Sequence, residues 1–483
     1  MNYLDLTIEE IHEALITNKV TPLELVKESL KRAKNDNNNA FEYICEKEAL
    51  ALVQKLDPQK RNNLLWGIPF VIKDNFSTKD ILTTASSNIL KDYYPIYSSD
   101  TYQRLIDEGA IIIGKTTLDE LAMGGTGTTG HLGKTFNPWD KNHLRQVGGS
   151  SCGSASLTSS GVVPLGIGSD TGDSIRKPAS YAGLVGFKPT WGRISRHGLF
   201  PFAPSLDHVG FFTRSVKDSA IALKALAGHD DKDMTSSSLP VEDYYQNINS
   251  DIKGIKIAII DEIYNAIKDK EILSAFDKTV EELKNRGAII NHVSIDINLL
   301  RAIYPTYIAI SCAEATSNNA NLDGIKFGLK GKGNSYQEIV KDARTAGFST
   351  PIKSKFLIGG FVLKEDNIDD FYLKAKKARN LMTKAINGIL INNDIIYLPA
   401  SPTVAPLFDN QIDRMSDESL IGENHLTINN FTGLPSLTLP IGFKDNLPFG
   451  GNVTGRAYKE QDVLNVSLAI EEITGLKNIV PEN

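Results

Sequence analysis

Between Gly124 and Arg214 the chain places 17 of its 38 glycines in under a fifth of its length. Glycine allows backbone shapes that other residues resist, and it lets main-chain N–H groups face a ligand closely. A flexible linker could have the same glycine content, but apolar runs such as Val162 to Ile167 are interleaved here. The block therefore reads as ordered structure built on close backbone approaches, and the chemistry of the chain is expected there.

The segments around it alternate in type. Thr7-Ile-Glu-Glu10 and Thr21-Pro-Leu-Glu24 each fit a capping box that opens a helix, the second with proline at the first helical position. Strands are expected at Leu64 to Lys73, Ala110 to Ile113, Ile255 to Ile260, Ala288 to Val293, Ile395 to Leu398 and Ser436 to Ile441. Helices are expected at Asp100 to Glu108, Leu118 to Met123, Glu271 to Arg286, Asp369 to Leu390 and Gln461 to Ile473. Such alternation implies a layered α/β fold. His229 to Lys253 is polar and reads as a surface connection.

Composition bounds the function. With 483 residues the chain buries about three-quarters of its unfolded surface, enough for a core without staples. Lys+Arg 52 against Asp+Glu 58 gives a net charge of −6, so any grip on nucleic acid is local or belongs to a partner. Three scattered cysteines (Cys45, Cys152, Cys312) make no disulfide framework, and no metal-ligand spacing accompanies them. The acidic, amphipathic N-terminus does not resemble a signal peptide, and no apolar run reaches 18 residues. A cytoplasmic protein without a metal or a membrane contact is expected.

Three short patterns invite misreading. Gly109 to Thr116 matches a P-loop, but its interior is an apolar strand rather than a glycine cradle. Ser250-Asp-Ile-Lys253 matches a β-lactamase element without its companions. Gly149-Ser-Ser151-Cys-Gly153 matches a nucleophile elbow, with His197, His208 or His425 as the base of a Ser-Asp-His hydrolase. The elbow needs a preceding strand, and Asn142 to Gly148 is a poor one.

A longer constellation uses the whole block. It comprises Gly148-Gly-Ser-Ser-Cys-Gly-Ser-Ala155, Gly168-Ser-Asp-Thr-Gly-Asp-Ser-Ile-Arg-Lys-Pro178 and Gly186-Phe-Lys-Pro-Thr190. Upstream, Gly67-Ile-Pro-Phe-Val-Ile-Lys-Asp-Asn75 brings a lysine to the end of an apolar strand. This resembles the amidase-signature family, which cleaves carboxamides with a Ser–cis-Ser–Lys triad. The resemblance implies one α/β domain over residues 1–483, a central mixed β-sheet covered by helices on both faces, with core motifs over 67–227, the connection at about 229–253 and a more divergent segment at about 300–425. It places the catalytic lysine on Lys73, the bridging serine on Ser150 after a cis peptide, and the nucleophile on Ser174. The N–H groups of Thr171, Gly172, Asp173 and Ser174 would form the oxyanion hole. A serine hydroxyl needs an adjacent base, and a lysine serves only when burial or nearby positive charge lowers its pKa from ~10.4.

Within the family, Leu118-Asp-Glu-Leu-Ala-Met-Gly124, Asn137-Pro-Trp-Asp140 and Thr190-Trp-Gly-Arg-Ile-Ser-Arg-His-Gly-Leu199 look like the glutamine-hydrolysing A subunits of tRNA-dependent amidotransferases. That resemblance implies a heterotrimer with B and C subunits. Ammonia from glutamine would be used on Glu-tRNA(Gln) at the B subunit, with ATP and Mg²⁺ bound there and no cofactor in this chain. The residues for the glutamine α-carboxylate and α-amino group would fall on Lys355 and Glu423. The sequence departs from the family pattern at Asp173, where glycine is usual, at Cys152, and at Lys355, where arginine is usual. The Asp173 carboxylate, which would oppose an oxyanion, is expected to point out of the pocket toward Arg176, Lys177 or solvent. A free-standing amidase of the same family and a catalytically impaired scaffold are the alternatives.

Overall fold

The computed structural model describes residues 2–410 and 413–481, so positions 411 and 412 of the divergent segment lie outside the described residues. Eleven strands form one sheet: β1 (Phe41–Ile44), β2 (Pro69–Lys73), β3 (Ile111–Thr116), β4 (Leu165–Asp170), β5 (Val185–Lys188), β6 (His208–Thr213), β7 (Lys256–Ile260), β8 (Ile289–Val293), β9 (Ile395–Pro399), β10 (Ser436–Lys444) and β11 (Leu447–Gly455). Their order is β1-β3-β2-β4-β6-β5-β10-β11-β9-β7-β8. β2 runs parallel to β3 and β4, and β7 runs parallel to β8 and β9. The other pairings are antiparallel, so the sheet is mixed as expected.

Burial follows position in this order. Every residue of β2, β3 and β4 is buried, whereas the edge strands β1 and β8 contain none that is fully buried. Central strands covered on both faces read as continuous apolar runs, which is why PFVIK and IIIGKT are legible as strands. β3 occupies Ile111–Thr116 of the P-loop match, so that stretch is a buried strand and no phosphate cradle.

Four helices matter for the site: α1 (Cys152–Ser159), α2 (Arg176–Ala182), α3 (Ile303–Asn318) and α4 (Thr350–Val362). Both sheet faces are covered. A Cβ on Gly450 of β11 would meet Ser180 of α2, and one on Gly455 would meet Val463 of the C-terminal helix Glu460–Thr474. Positions an odd number apart on a strand face opposite ways, so these helices lie on opposite faces. Both capping boxes form: the Thr7 and Thr21 side chains accept from the N–H groups of Glu10 and Glu24.

Several expectations need correction. The polar connection is pinned rather than purely superficial, because Tyr244 is buried and its hydroxyl accepts from Arg193 Nε at 2.9 Å and Nη2 at 2.7 Å. The helix expected at Asp369 to Leu390 begins as a π-turn, Asp369–Leu373, before regular helix at Lys374–Asn392. Strands β5, β6 and β11, and helices α3 and α4, carry no pattern that announces them in the sequence.

One buried ion pair anchors β2 beside β3. Lys115 Nζ lies 3.1 Å from Asp74 Oδ1, with both side chains fully buried. The ammonium also donates to Phe76 O, Thr78 Oγ1 and Thr83 Oγ1, while Asp74 Oδ2 accepts from Thr84 N and Oγ1. Removing one member of a buried pair leaves an uncompensated charge. Lys115→Met is therefore expected to cost about 3–5 kcal/mol in urea unfolding. Lys115→Met combined with Asp74→Asn should cost less than the two single losses summed.

Candidate active site

The site lies where parallel strands end. β2 and β4 are neighbours with Ile72 beside Ile167, so the C-terminal ends of both strands open onto one edge of the sheet. Ligands in α/β sheets bind outside such ends. Lys73 closes β2, and Ser169 and Asp170 close β4. The third contributor is the turn leading into α1, where the Gly149–Ser150 peptide is cis, as the resemblance implied. Two glycines are required by contact here. A Cβ on Gly149 would lie 2.0 Å from Asp119 Oδ2, and one on Gly168 would lie 2.7 Å from Ser151 Oγ.

Lys73 is completely buried, and its ammonium site is lined by oxygen atoms. Nζ donates to Ser150 Oγ at 2.7 Å, Ser151 Oγ at 3.0 Å, Ser169 Oγ at 3.0 Å and Ser169 O at 3.3 Å. Asn75 Nδ2 also donates to Ser169 Oγ at 3.0 Å. Among the described residues, no carboxylate touches the amine. Burial lowers its pKa to about 7, against the more distant pull of Cys152, Asp119, Asp170 and Asp207. A group at that value holds and releases protons near neutrality, which suits a general base.

The loop from Thr171 to Ser174 follows β4 and is fixed from behind. Arg176, fully buried at the start of α2, donates from Nε and Nη2 to Asp170 and from Nη2 to Gly172 O at 2.8 Å. It also reaches Leu426 O and Asn430 Oδ1. Thr171 Oγ1 donates to Asp207 at 2.7 Å. In a trans peptide the C=O and N–H point oppositely, so fixing Gly172 O on Arg176 turns the Asp173 N–H away from it. Among the described residues, the N–H groups of Thr171, Gly172, Asp173 and Ser174 serve no other protein acceptor. Ser174 is 3% exposed, and its carbonyl accepts from Ser151 N at 3.3 Å. No hydrogen bond joins Ser174 Oγ to Ser150 Oγ.

A cavity of about 360 Å³ adjoins this loop. Gly172 and Asp173 line it, facing Thr126, Tyr307 of α3 and Lys355 of α4. Asp119, which no sequence pattern singles out, shapes the opposite wall. Its carboxylate accepts from the N–H groups of Thr126, Gly127, Thr128 and Thr129. The Cys152 departure is absorbed without opening the wall: the thiol is buried and donates to Thr117 O at 3.4 Å.

Lys355 and Glu423 both line the cavity. Lys355 makes no ion pair among the described residues, but Glu423 is already engaged. Lys177 Nζ donates to its carbonyl at 2.6 Å and its Oε2 at 3.2 Å. The expectation for Asp173 holds in direction and fails in place. Its carboxylate turns to Lys177, 2.8 Å away, yet it stays in the cavity wall because Lys177 presents its ammonium there between two acids. The carboxylate makes no hydrogen bond or ion pair with Lys73 or Ser174.

The nucleophile-elbow reading is overturned. Ser151 Oγ accepts from Lys73 and donates to Ser169 O, and no histidine reaches it. His208 and His425 are buried, bonded through Nδ1 to Leu206 O and Gly422 O, and His197 lies against Tyr97.

With Lys73 near 7, phosphonylation of Ser174 by a fluorophosphonate probe, in which the serine oxygen displaces fluoride from phosphorus, should depend on the neutral amine. Protonation below that value removes the base, so the labelling rate is expected to fall about tenfold per pH unit under 7 and to level off above about 8. A rate constant that is flat from pH 5 to 9 would contradict the assignment.

A family model described as Amidase matches residues 24–464. The chain is 38% identical over 490 residues to the A subunit of glutamyl-tRNA(Gln) amidotransferase from Pediococcus pentosaceus, covering 100% of this chain and 99% of that one. It is 37% identical to the protein of the same name from Agathobacter rectalis, covering 99% and 95%. Among solved structures, the A subunit of glutamyl-tRNA(Gln) amidotransferase from Thermotoga maritima superposes with a TM-score of 0.80 at 31% identity, covering 98% of this chain and 95% of that one. Matched in sequence and in fold over nearly its full length, the chain belongs to the amidase family and, within it, to the family of these A subunits.

Proposed function

We propose that this chain is the glutaminase component of a tRNA-dependent amidotransferase, acting with B and C subunits in the cytoplasm. The observation that carries the reading is the buried Lys73–Ser150 contact at 2.7 Å beside a loop with four free N–H groups, in a chain whose relatives bear that name over their whole length. Neutral Lys73 takes the proton of Ser150, which takes that of Ser174. The Ser174 oxygen then attacks the glutamine carboxamide carbon. The oxyanion settles against the N–H groups of Thr171 to Ser174, where losing one donor typically costs ~10²–10³ in rate. The C–N bond breaks, the leaving nitrogen takes the proton back through Ser150, and ammonia departs from an acyl-Ser174. Water, activated by the same lysine, cleaves the ester to glutamate.

The first link, Ser174 to Ser150, is absent in the free chain and must form when substrate binds, as such bonds often do. Lys355, without an ion partner among the described residues, holds the substrate α-carboxylate, and Glu423 accepts from the α-ammonium while sharing Lys177. Lysine lacks arginine's bidentate fork, so glutamine is held by a single point charge. Ammonia would pass to the B subunit, which would bind the ATP and Mg²⁺ needed for activation of the γ-carboxyl of Glu-tRNA(Gln). The net charge of −6 agrees with leaving most phosphate contacts to that partner.

In the assembled complex Ser174→Ala should abolish glutaminase activity, and Lys73→Ala should leave well under a tenth of it. Both variants should still form Gln-tRNA(Gln) when ammonia is supplied. A Lys73→Ala complex that hydrolyses glutamine at more than about a tenth of the wild-type rate would refute the lysine-base assignment.

A further inference from the structure

Position 173 poses an electrostatic problem. The residue lends its N–H to the loop that faces the cavity, and its side chain places a carboxylate in the same wall. Glu423 adds a second carboxylate to that wall. A negative charge within a few ångströms of a forming oxyanion opposes it, and in a partly desolvated pocket the effect is large.

Two cations are within reach. Arg176 is one, but Asp170, Gly172 O, Leu426 O and Asn430 occupy its guanidinium. Lys177 is the other, and its Nζ lies 2.8 Å from Asp173 Oδ2 and 3.2 Å from Glu423 Oε2. The three side chains are 11%, 20% and 22% exposed, so water screens them little. The turn that leads into α2 sets the pairing, since Asp173 and Lys177 are four residues apart and the Lys177 N–H donates to Asp173 O at 2.9 Å. The other charged or titratable groups around the cluster are Lys355, Tyr304 and Tyr307 in the cavity lining, Tyr181 beside Lys177, and the buried Asp170 and His425.

We propose that Lys177 is the counter-ion that makes a carboxylate tolerable at position 173, keeping the oxyanion loop electrostatically open for catalysis. This rests on reading Ser174 as the nucleophile. Lys177 acts through Asp173 and Glu423 and not on the substrate's reacting atoms, so it is a positioning residue. Without it the wall of the free chain carries two unpaired carboxylates, and once the glutamine α-ammonium pairs with Glu423 the Asp173 carboxylate is left to repel the oxyanion.

Four chains test the inference: wild type, Asp173→Gly, Lys177→Gln and the double variant, each assembled with its B and C subunits. Two readouts are taken, kcat and KM for glutamine hydrolysis and the rate at which a fluorophosphonate labels Ser174. Lys177→Gln is expected to lose roughly 10–100-fold, mainly in kcat, and to lose labelling rate in parallel. Removing the carboxylate as well should restore at least tenfold of that loss, which a packing defect at Lys177 would not allow. A Lys177→Gln chain that unfolds in the assay while the double variant folds supports the same relation. A double variant no faster than Lys177→Gln, or a Lys177→Gln chain close to wild type, would overturn the proposal. If wild type is labelled at Ser174 yet does not hydrolyse glutamine, the substrate reading fails, and the labelling rates alone decide the role of Lys177.

Discussion

A lysine amine sealed inside the protein without a carboxylate against it is the feature on which the rest of this structure turns. Burial alone would make the charged form costly, and the surrounding Ser150, Ser151 and Ser169 hydroxyls with one carbonyl satisfy Nζ without fixing its charge. The result is an amine poised near neutrality. Lys115 shows what the alternative looks like. On the adjacent strand an equally buried lysine meets Asp74 directly and serves as a strut.

Holding such an amine requires a rigid frame, and buried charge supplies it at one remove. Asp119 gathers four N–H groups of the 126–129 turn and leaves no room for a side chain at Gly149. Arg176 clasps Asp170 and the Gly172 carbonyl, which fixes which way the next amide faces. Both are buried ionic groups with their donors and acceptors largely satisfied, the condition under which such networks specify a single geometry. Lys177 repeats the device on the cavity side, with two acids and some solvent.

Much of this is legible in the sequence because the central strands are unbroken apolar runs and the capping boxes are local. What is not legible has physical reasons. β11 contains Gly450, Gly451 and Gly455, which read as turn residues. Two of them are small because Tyr397 of the neighbouring strand β9 and Ser180 of helix α2 press against them. Helix α3 carries Pro305 in its first turn, where no N–H is needed, and its apolar residues surround it rather than forming a stripe. In the site, Lys73, Ser150 and Ser174 are placed by a resemblance over a long motif. Lys177 and Glu423 meet across 246 positions of chain, and no local pattern announces such a pair. The Asp173 departure is visible in the sequence, but its remedy requires coordinates.

The most direct test of the account is the intact mass of the chain, taken by rapid quenching of the assembled complex during glutamine turnover. The account predicts a γ-glutamyl adduct that peptide mapping places on Ser174. An adduct on Ser151 or on any other residue, or steady glutamine hydrolysis with no adduct on the timescale of turnover, would contradict it.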